Sequence, residues 1–247
     1  MLPHSRITIV GPGRLGTALG AAMRAAGLDV TGPLGRGAAG IDGAGADVVL
    51  LCVPDSEIAA AAAVVRGGPI VGHTSGATSL GPLAPHEAFS LHPLLSVAKQ
   101  GTDFRGAGCA IAGNSERAAQ TAGALAAALG MQPFAVAESD RPLYHAAASM
   151  ASNYLVALEA AAERLVTLAG VSRQHLAPLV RSAVNQWAEV GAHDALTGPV
   201  ARGDEETVAR QRAAVAARAA DILPLWDSLT DATRALAHAR TAAAAAR

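Results

Sequence analysis

Through about the first 135 residues, short runs of β-branched and other apolar residues alternate with alanine-rich stretches of helical period. That rhythm predicts βαβ units and a parallel sheet. Strands are predicted at 6–10, 29–31, 47–53, 69–72 and 88–91, with later ones at 109–112 and 134–136. The run from Val48 to Val53 is apolar without interruption, as for a strand covered on both faces, so Cys52 reads as core rather than as a reactive thiol. A helix at 15–26 ends at Gly27, a residue suited to the helix C-terminus. Beyond Val136 no further strand pattern is found. One helix is expected from a cap at Ser139 or Asp140, with Pro142 in its first turn, to Gly170; a second starts at Ser172 and reaches about Val190, with Pro178 as a kink point. Asp204, Glu205 and Glu206 open a third, where the helix dipole favours negative charge. The alanine run 241–247 has nothing to pack against and is expected to fray. The pattern therefore predicts a Rossmann-like, doubly wound α/β domain over 1–138 and an all-α domain over 139–247.

Composition narrows the function classes. Of 247 residues 51% are hydrophobic and 16% charged, which suits a chain with a large core rather than a disordered one. The 19 basic and 20 acidic residues nearly cancel, and no basic block occurs, so nucleic acid and anionic membrane surfaces are not expected partners. The two cysteines, Cys52 and Cys109, make neither a disulfide framework nor a metal-ligand spacing, and a reducing, cytoplasmic compartment is expected. Arg6 stands inside the opening apolar run, which is too short for a signal-peptide core. The longest uncharged run, 118–137, is broken by Gly123, Gly130 and Pro133 and reads as helix plus strand, not a membrane span.

Gly11-Pro-Gly13-Arg14-Leu15-Gly16 follows the first predicted strand and opens the first helix, the context in which G-x-G-x-x-G binds a dinucleotide. The glycines allow a tight turn, a close approach to a diphosphate and tight helix–strand packing; a glycine turn without ligand is the alternative. NAD sites usually carry an acid after the second strand, but here the stretch is Thr31-Gly-Pro-Leu-Gly-Arg36-Gly37. Arg36 would suit the 2′-phosphate of NADP, unless it is simply a solvated loop arginine.

Further polar residues stand where predicted strands end: Val53-Pro54-Asp55, His73-Thr-Ser75-Gly76 and His92-Pro93. Strand carboxyl ends line the ligand crevice of doubly wound folds, although each histidine alone also fits a structural role. His145, Ser149 and Asn153, at i, i+4 and i+8, form a polar stripe on an otherwise apolar helix, either a seam between helices or a face toward the crevice. Between later helices, the segment 195–204 contains Thr197, Arg202 and Asp204; Arg202 either grips a substrate carboxylate or pairs with Asp204.

Taken together, the glycine loop, Val53-Pro54-Asp55, His73 to Gly76, His92-Pro93, Tyr144-His145 through Asn153, and Leu196-Thr-Gly-Pro through Asp204 resemble a bacterial group of the 6-phosphogluconate dehydrogenase-like superfamily. Its members join a Rossmann-like domain to a helical domain of unassigned function, are often named NADP oxidoreductases, and are similar to pyrroline-5-carboxylate reductase, ketopantoate reductase and the β-hydroxyacid dehydrogenases. The resemblance spans nearly the whole chain. It implies NADP(H) in the sheet domain, a small-molecule substrate at the domain junction and a homodimer made through the helical domains. In the β-hydroxyacid dehydrogenases and ketopantoate reductase a Lys-x-x-x-Asn pair supplies the acid; here Asn153 matches the asparagine, Ser149 stands at the lysine position, and Lys99, in the sheet domain, is the chain's single lysine.

The expected activity is hydride transfer from NADPH to a small ketone or imine, one bearing a carboxylate. His145 is the candidate acid and His92 its reserve, Asn153 and Thr197 would bond the substrate heteroatom, and Ser149 and Arg202 would bind substrate. Two other readings stand beside it: a non-catalytic NADP-binding sensor, and hydride exchange between NADP and a deazaflavin stacked on Tyr144, Tyr154 or Trp187.

Overall fold

The computed structural model describes residues 5–98 and 101–245, with side chains through residue 240; Lys99 lies outside them. The first part of the chain runs β1 (Arg6–Val10), α1 (Arg14–Ala25), β2 (Asp29–Leu34), β3 (Val48–Leu51), α2 (Ile58–Ala63), β4 (Ile70–His73), β5 (Ala88–Pro93), β6 (Gly108–Gly113), α3 (Glu116–Ala128) and β7 (Gln132–Ala135). Helices α4 (Arg141–Ser149), α5 (Leu155–Leu168), α6 (Ala177–Ala195), α7 (Gly198–Arg202), α8 (Glu205–Arg218) and α9 (Leu223–Ala245) follow. By compactness the chain forms two units, Met1–Ser152 and Asn153–Arg247, so α4 groups with the sheet.

The seven strands lie in the order β2-β1-β3-β4-β5-β6-β7, and the order reverses at β1, which has β2 on one side and β3 on the other. Strands β1 to β5 are parallel, whereas β6 pairs antiparallel with β5 in the register His92 to Ala110, and β7 is parallel to β6. The described residues between β5 and β6 include no crossover helix, so the chain returns in the opposite direction. Alternate residues of β1 and β3 supply the two faces. Ile7, Ile9, Val48 and Leu50 pack with Leu19 and Met23 of α1 and Leu125 of α3, while Val10, Val49 and Leu51 pack with Ile58 and Ala62 of α2. Burial of both faces explains the uninterrupted apolar run seen in β3.

The helical part departs from its sequence pattern in three places. Neither Ser139 nor Asp140 caps α4 with its side chain; a 3₁₀ turn over Glu138–Asp140 leads in, and the Asp140 N–H is satisfied by the Ala137 carbonyl at 2.9 Å. The long helix is divided by a π turn over Met150–Tyr154. Pro178 sits in the first turn of α6, where its missing N–H costs no helical bond, and the break comes instead at Gly191, with φ 78° and ψ 171°. Asp204 caps α8 as its charge pattern predicts, its carboxylate accepting from the Thr207 N–H at 3.1 Å. The C-terminal alanine run is helical to Ala245, in keeping with alanine's high helix propensity.

Candidate active site at the strand ends

The glycine loop is held from both sides. The Gly11 N–H donates to the Leu34 carbonyl at the end of β2 at 2.9 Å, and the Cys52 N–H just past β3 donates to Val10 at 2.7 Å. Gly11 has φ 108°, and a Cβ there would lie 2.3 Å from the Cys52 carbonyl oxygen; a Cβ on Gly16 would lie 2.1 Å from the Gly11 oxygen. A Cβ on Gly13 would meet nothing within 4 Å. The first and third glycines are thus required by packing, and the second faces open space. Gly13 is the N-cap of α1 with no side-chain cap bond, and no acid stands in the first turn, which begins at Arg14 and Leu15. These N–H groups and the helix dipole favour an anion, so the cradle fits the diphosphate of a dinucleotide.

Beside it, Val53 packs on the loop, its Cγ1 3.2 Å from where a Gly11 Cβ would stand. Arg36 lies just past β2, next to Gly35, whose Cβ would be 3.9 Å from Pro12 of the glycine loop. Its guanidinium donates to the Glu57 carboxylate at 3.0 Å. Cys52 packs against the core, as its place in the apolar run suggests, and burial pushes its thiol up to about 12.

A second set of polar residues occupies the carboxyl ends of β4 and β5. Ser75 Oγ donates to Asp55 at 2.7 Å and accepts from the Thr78 N–H at 2.9 Å. His73 is fully buried. Its Nδ1 accepts from the Ser75 N–H at 3.2 Å, so Nε2 carries the proton that it gives to the Ser79 carbonyl at 3.0 Å. Both nitrogens are committed, and burial lowers the pKa. His73 is therefore a structural residue of this turn.

Arg141, at the start of α4, is 4% exposed. Its guanidinium donates to the Thr78 carbonyl at 3.1 Å, the Ser75 carbonyl at 3.4 Å and the Ser90 hydroxyl. It forms no ion pair with a carboxylate among the described residues. One turn on, Tyr144 Oη lies 2.7 Å from His92 Nδ1, with the rings edge to face at 5.6 Å. The His145 ring also lies against His92, edge to face at 6.1 Å between ring centres. Gly76 fits between the imidazoles only because it lacks a Cβ, which would lie 2.8 Å from His92 and 2.9 Å from His145. Burial, and after it the neighbouring His145 and Arg141, lower the pKa of His92 to about 4. Burial likewise pushes Tyr144 up to about 12.

The first unit thus brings together Asp55, Ser75, His92 and His145 from the sequence-predicted set, and adds Tyr144 and Arg141. In the sequence Tyr144 stands as part of the Tyr144-His145 motif and as a ring for stacking, with no bond to His92 foreseen. The signal for Arg141 was a cation in the first turn of a helix, where the dipole opposes it. Ser149 ends α4, and Asn153 falls in the π turn, whose i→i+5 bonding does not preserve the i, i+4 stacking that an uninterrupted α-helix would give. In the second unit, Thr197 precedes α7 and Arg202 ends it, both exposed. Asp204 makes no ion pair with Arg202 among the described residues; its carboxylate caps α8 instead.

A reversing, mostly parallel sheet with a glycine loop at the carboxyl end of β1 defines a Rossmann-like protein, and a Rossmann-like domain model matches residues 38–95. The chain belongs to the family described as a domain of unknown function, DUF2520, whose model matches residues 107–233. No curated protein matches it. Among solved structures it is similar to BF3122 of Bacteroides fragilis, provisionally named an NADP oxidoreductase, at 19% identity and TM-score 0.81, over 95% of this chain and 99% of that one. The Thermotoga maritima protein TM1727 is similar at 22% identity and TM-score 0.76, again over 95% and 99%. A reductive aminase from Aspergillus terreus, in complex with NADPH and ethyl-5-oxohexanoate, is similar at 19% identity and TM-score 0.69, over 93% and 94%. At these identities the likeness establishes the fold.

The buried imidazoles make stability depend on pH. His92 takes up a proton near 6.5 when unfolded but only near 4 when folded, so its contribution is complete above about 6.5 and is lost as pH falls toward 4. His73 acts in the same direction. Denaturant unfolding from neutral pH to about pH 5 should show wild type losing more stability than His92→Gln; equal losses would place the shift elsewhere.

Proposed function

We propose that this protein is an NADP(H)-dependent oxidoreductase acting on a small ketone or imine that bears a carboxylate. The observation that carries the reading is the open face at Gly13 between two glycines that packing requires, at the start of a helix with no acid in its first turn. The NADPH held by the reductive aminase, which has the same fold, supports it. Gly11, Gly13, Arg14, Leu15 and Gly16 would hold the diphosphate and Arg36 the 2′-phosphate, with Val53, Pro54, Asp55 and Ser75 bordering the nucleotide. When bound, NADP(H) supplies or accepts the hydride.

The proton belongs to the cluster beyond. With its pKa near 4, His92 is uncharged at neutral pH and is a poor acid, so the acid role falls to His145, with Tyr144 fixing the His92 ring. Arg141 forms no ion pair among the described residues, so its charge, set against the Asp55 carboxylate of the same cluster, is left to favour an anionic substrate. The remaining substrate contacts of this reading are carried over from the sequence motifs: Asn153 with Ser149 at the lysine position of the family pair, and Thr197 and Arg202 at the two ends of α7. The free thiols Cys52 and Cys109 suit a reducing cytoplasm.

We also propose a homodimer formed through the helical part. Helix α6 has no buried residue, and Leu179, Val184, Trp187 and Val190 are exposed on it at 66%, 40%, 57% and 53%. A helix of that composition is stable when an apolar side is covered, and a second copy of the same face is the commonest cover.

Three measurements test these readings. Gly13 has φ −70° and ψ 179°, a conformation open to any residue, so Gly13→Val should leave the thermal midpoint unchanged while weakening NADPH binding by more than about tenfold, read by nicotinamide fluorescence. Undiminished binding would remove the diphosphate from this loop. In NADPH oxidation driven by a panel of 2-oxoacids and cyclic imines, His145→Ala should lower kcat by about 100-fold; tight NADPH binding with no turnover on any of them would favour a sensor. Trp187→Glu should convert a dimer to a monomer in light scattering, and a wild type already monomeric at high concentration would end the dimer proposal.

A further inference from the structure

We infer that Glu57 sets the nucleotide selectivity of the glycine-loop site by competing with the ribose 2′-phosphate for Arg36. The inference rests on the NADP(H) reading above and concerns a residue that neither the glycine motif nor the second strand contains.

The position of Arg36 is well determined by the backbone around it. The Leu34 carbonyl accepts the Gly11 N–H at 2.9 Å, and Gly35 lies against Pro12, so Arg36 follows directly on a segment bonded to the glycine loop. In dinucleotide-binding sheets the residue after the second strand meets the ribose 2′ position, an acid selecting the hydroxyl and an arginine accommodating the phosphate. From Thr31 to Gly37 there is no acid. The carboxylate at this corner comes instead from the 3₁₀ turn after β3: Glu57, whose N–H bonds the Pro54 carbonyl at 2.8 Å, brings Oε2 to 3.0 Å from the Arg36 guanidinium.

A guanidinium already paired with one anion must give up that pairing, or share it, to receive another. The side chains are 86% and 46% exposed, so the pair is screened and breakable, and its effect on affinity is modest rather than prohibitive. A nucleotide without the 2′-phosphate has no use for the guanidinium and feels no competition. Glu57 therefore acts on selectivity, through Arg36, and does not act on the shared diphosphate grip.

The experiment is a double-mutant cycle on the full-length protein, with Kd measured for NADPH and for NADH by nicotinamide fluorescence. Glu57→Gln should raise the ratio of the NADH Kd to the NADPH Kd by about three- to fivefold, chiefly by tightening NADPH. In an Arg36→Ala background the same substitution should leave the ratio unchanged. A ratio that does not move in the Arg36-containing protein overturns the inference while leaving the NADP(H) reading intact. A ratio that moves equally in both backgrounds also overturns it, because Glu57 then repels the phosphate without Arg36. A wild type that binds neither nucleotide overturns both. Thermal midpoints of all four proteins confirm folding, since neither side chain reaches the core.

Discussion

The close contact between Gly11 and the Cys52 carbonyl is the constraint on which the rest of the site depends. At that point the turn after β1 presses against the end of β3, with no room for even a methyl group between them, and the strand order reverses at β1. The contact fixes where α1 begins and what its first amides face. It also fixes the end of β3, which leads to Pro54 and Glu57, while the bond from the Gly11 N–H to Leu34 holds the end of β2, which leads to Arg36, on the other side of β1. In the reading proposed above, nucleotide recognition on this corner would follow from backbone packing, with side chains adding the choice between nucleotides.

The polar cluster at β4 and β5 follows a different logic. Buried polar groups are tolerated when they are bonded, and here main-chain atoms satisfy His73, through Ser75 and Ser79, and much of Arg141, through Ser75 and Thr78, with Ser90 and Asp55 adding side-chain partners. Main-chain partners hold the Arg141 guanidinium without neutralising it, so a cation and the Asp55 carboxylate stand together beside His73 and His92, whose pKa values burial lowers.

Much of this was legible in the residue pattern, because hydrophobic period and strand-end polarity are local signals. The strand at β3, the glycine loop, the histidines at the carboxyl ends of β4 and β5 and the acidic start of α8 all declare themselves within a few residues. What stayed hidden depends on atoms distant in sequence. The antiparallel turn of β6 follows from a connection without a helix, and the Tyr144–His92 bond joins residues 52 positions apart. Glu57 looks like an ordinary surface acid until β3 is laid beside β1. The π turn at Met150–Tyr154 is likewise invisible to a periodicity argument, since the phase shift it makes falls in an alanine-rich run where few large side chains mark the phase.

Arg141 also has a mechanical meaning. One side chain ties the first turn of α4 to the backbone of the segment after β4 and to Ser90 in β5. The loop, the strand and the helix start are thereby stitched into a single stiff plate, on which the imidazoles and the phenol are mounted as fixed fittings. Thermal motion in this region would tilt the plate as a whole and leave the spacing of its fittings constant.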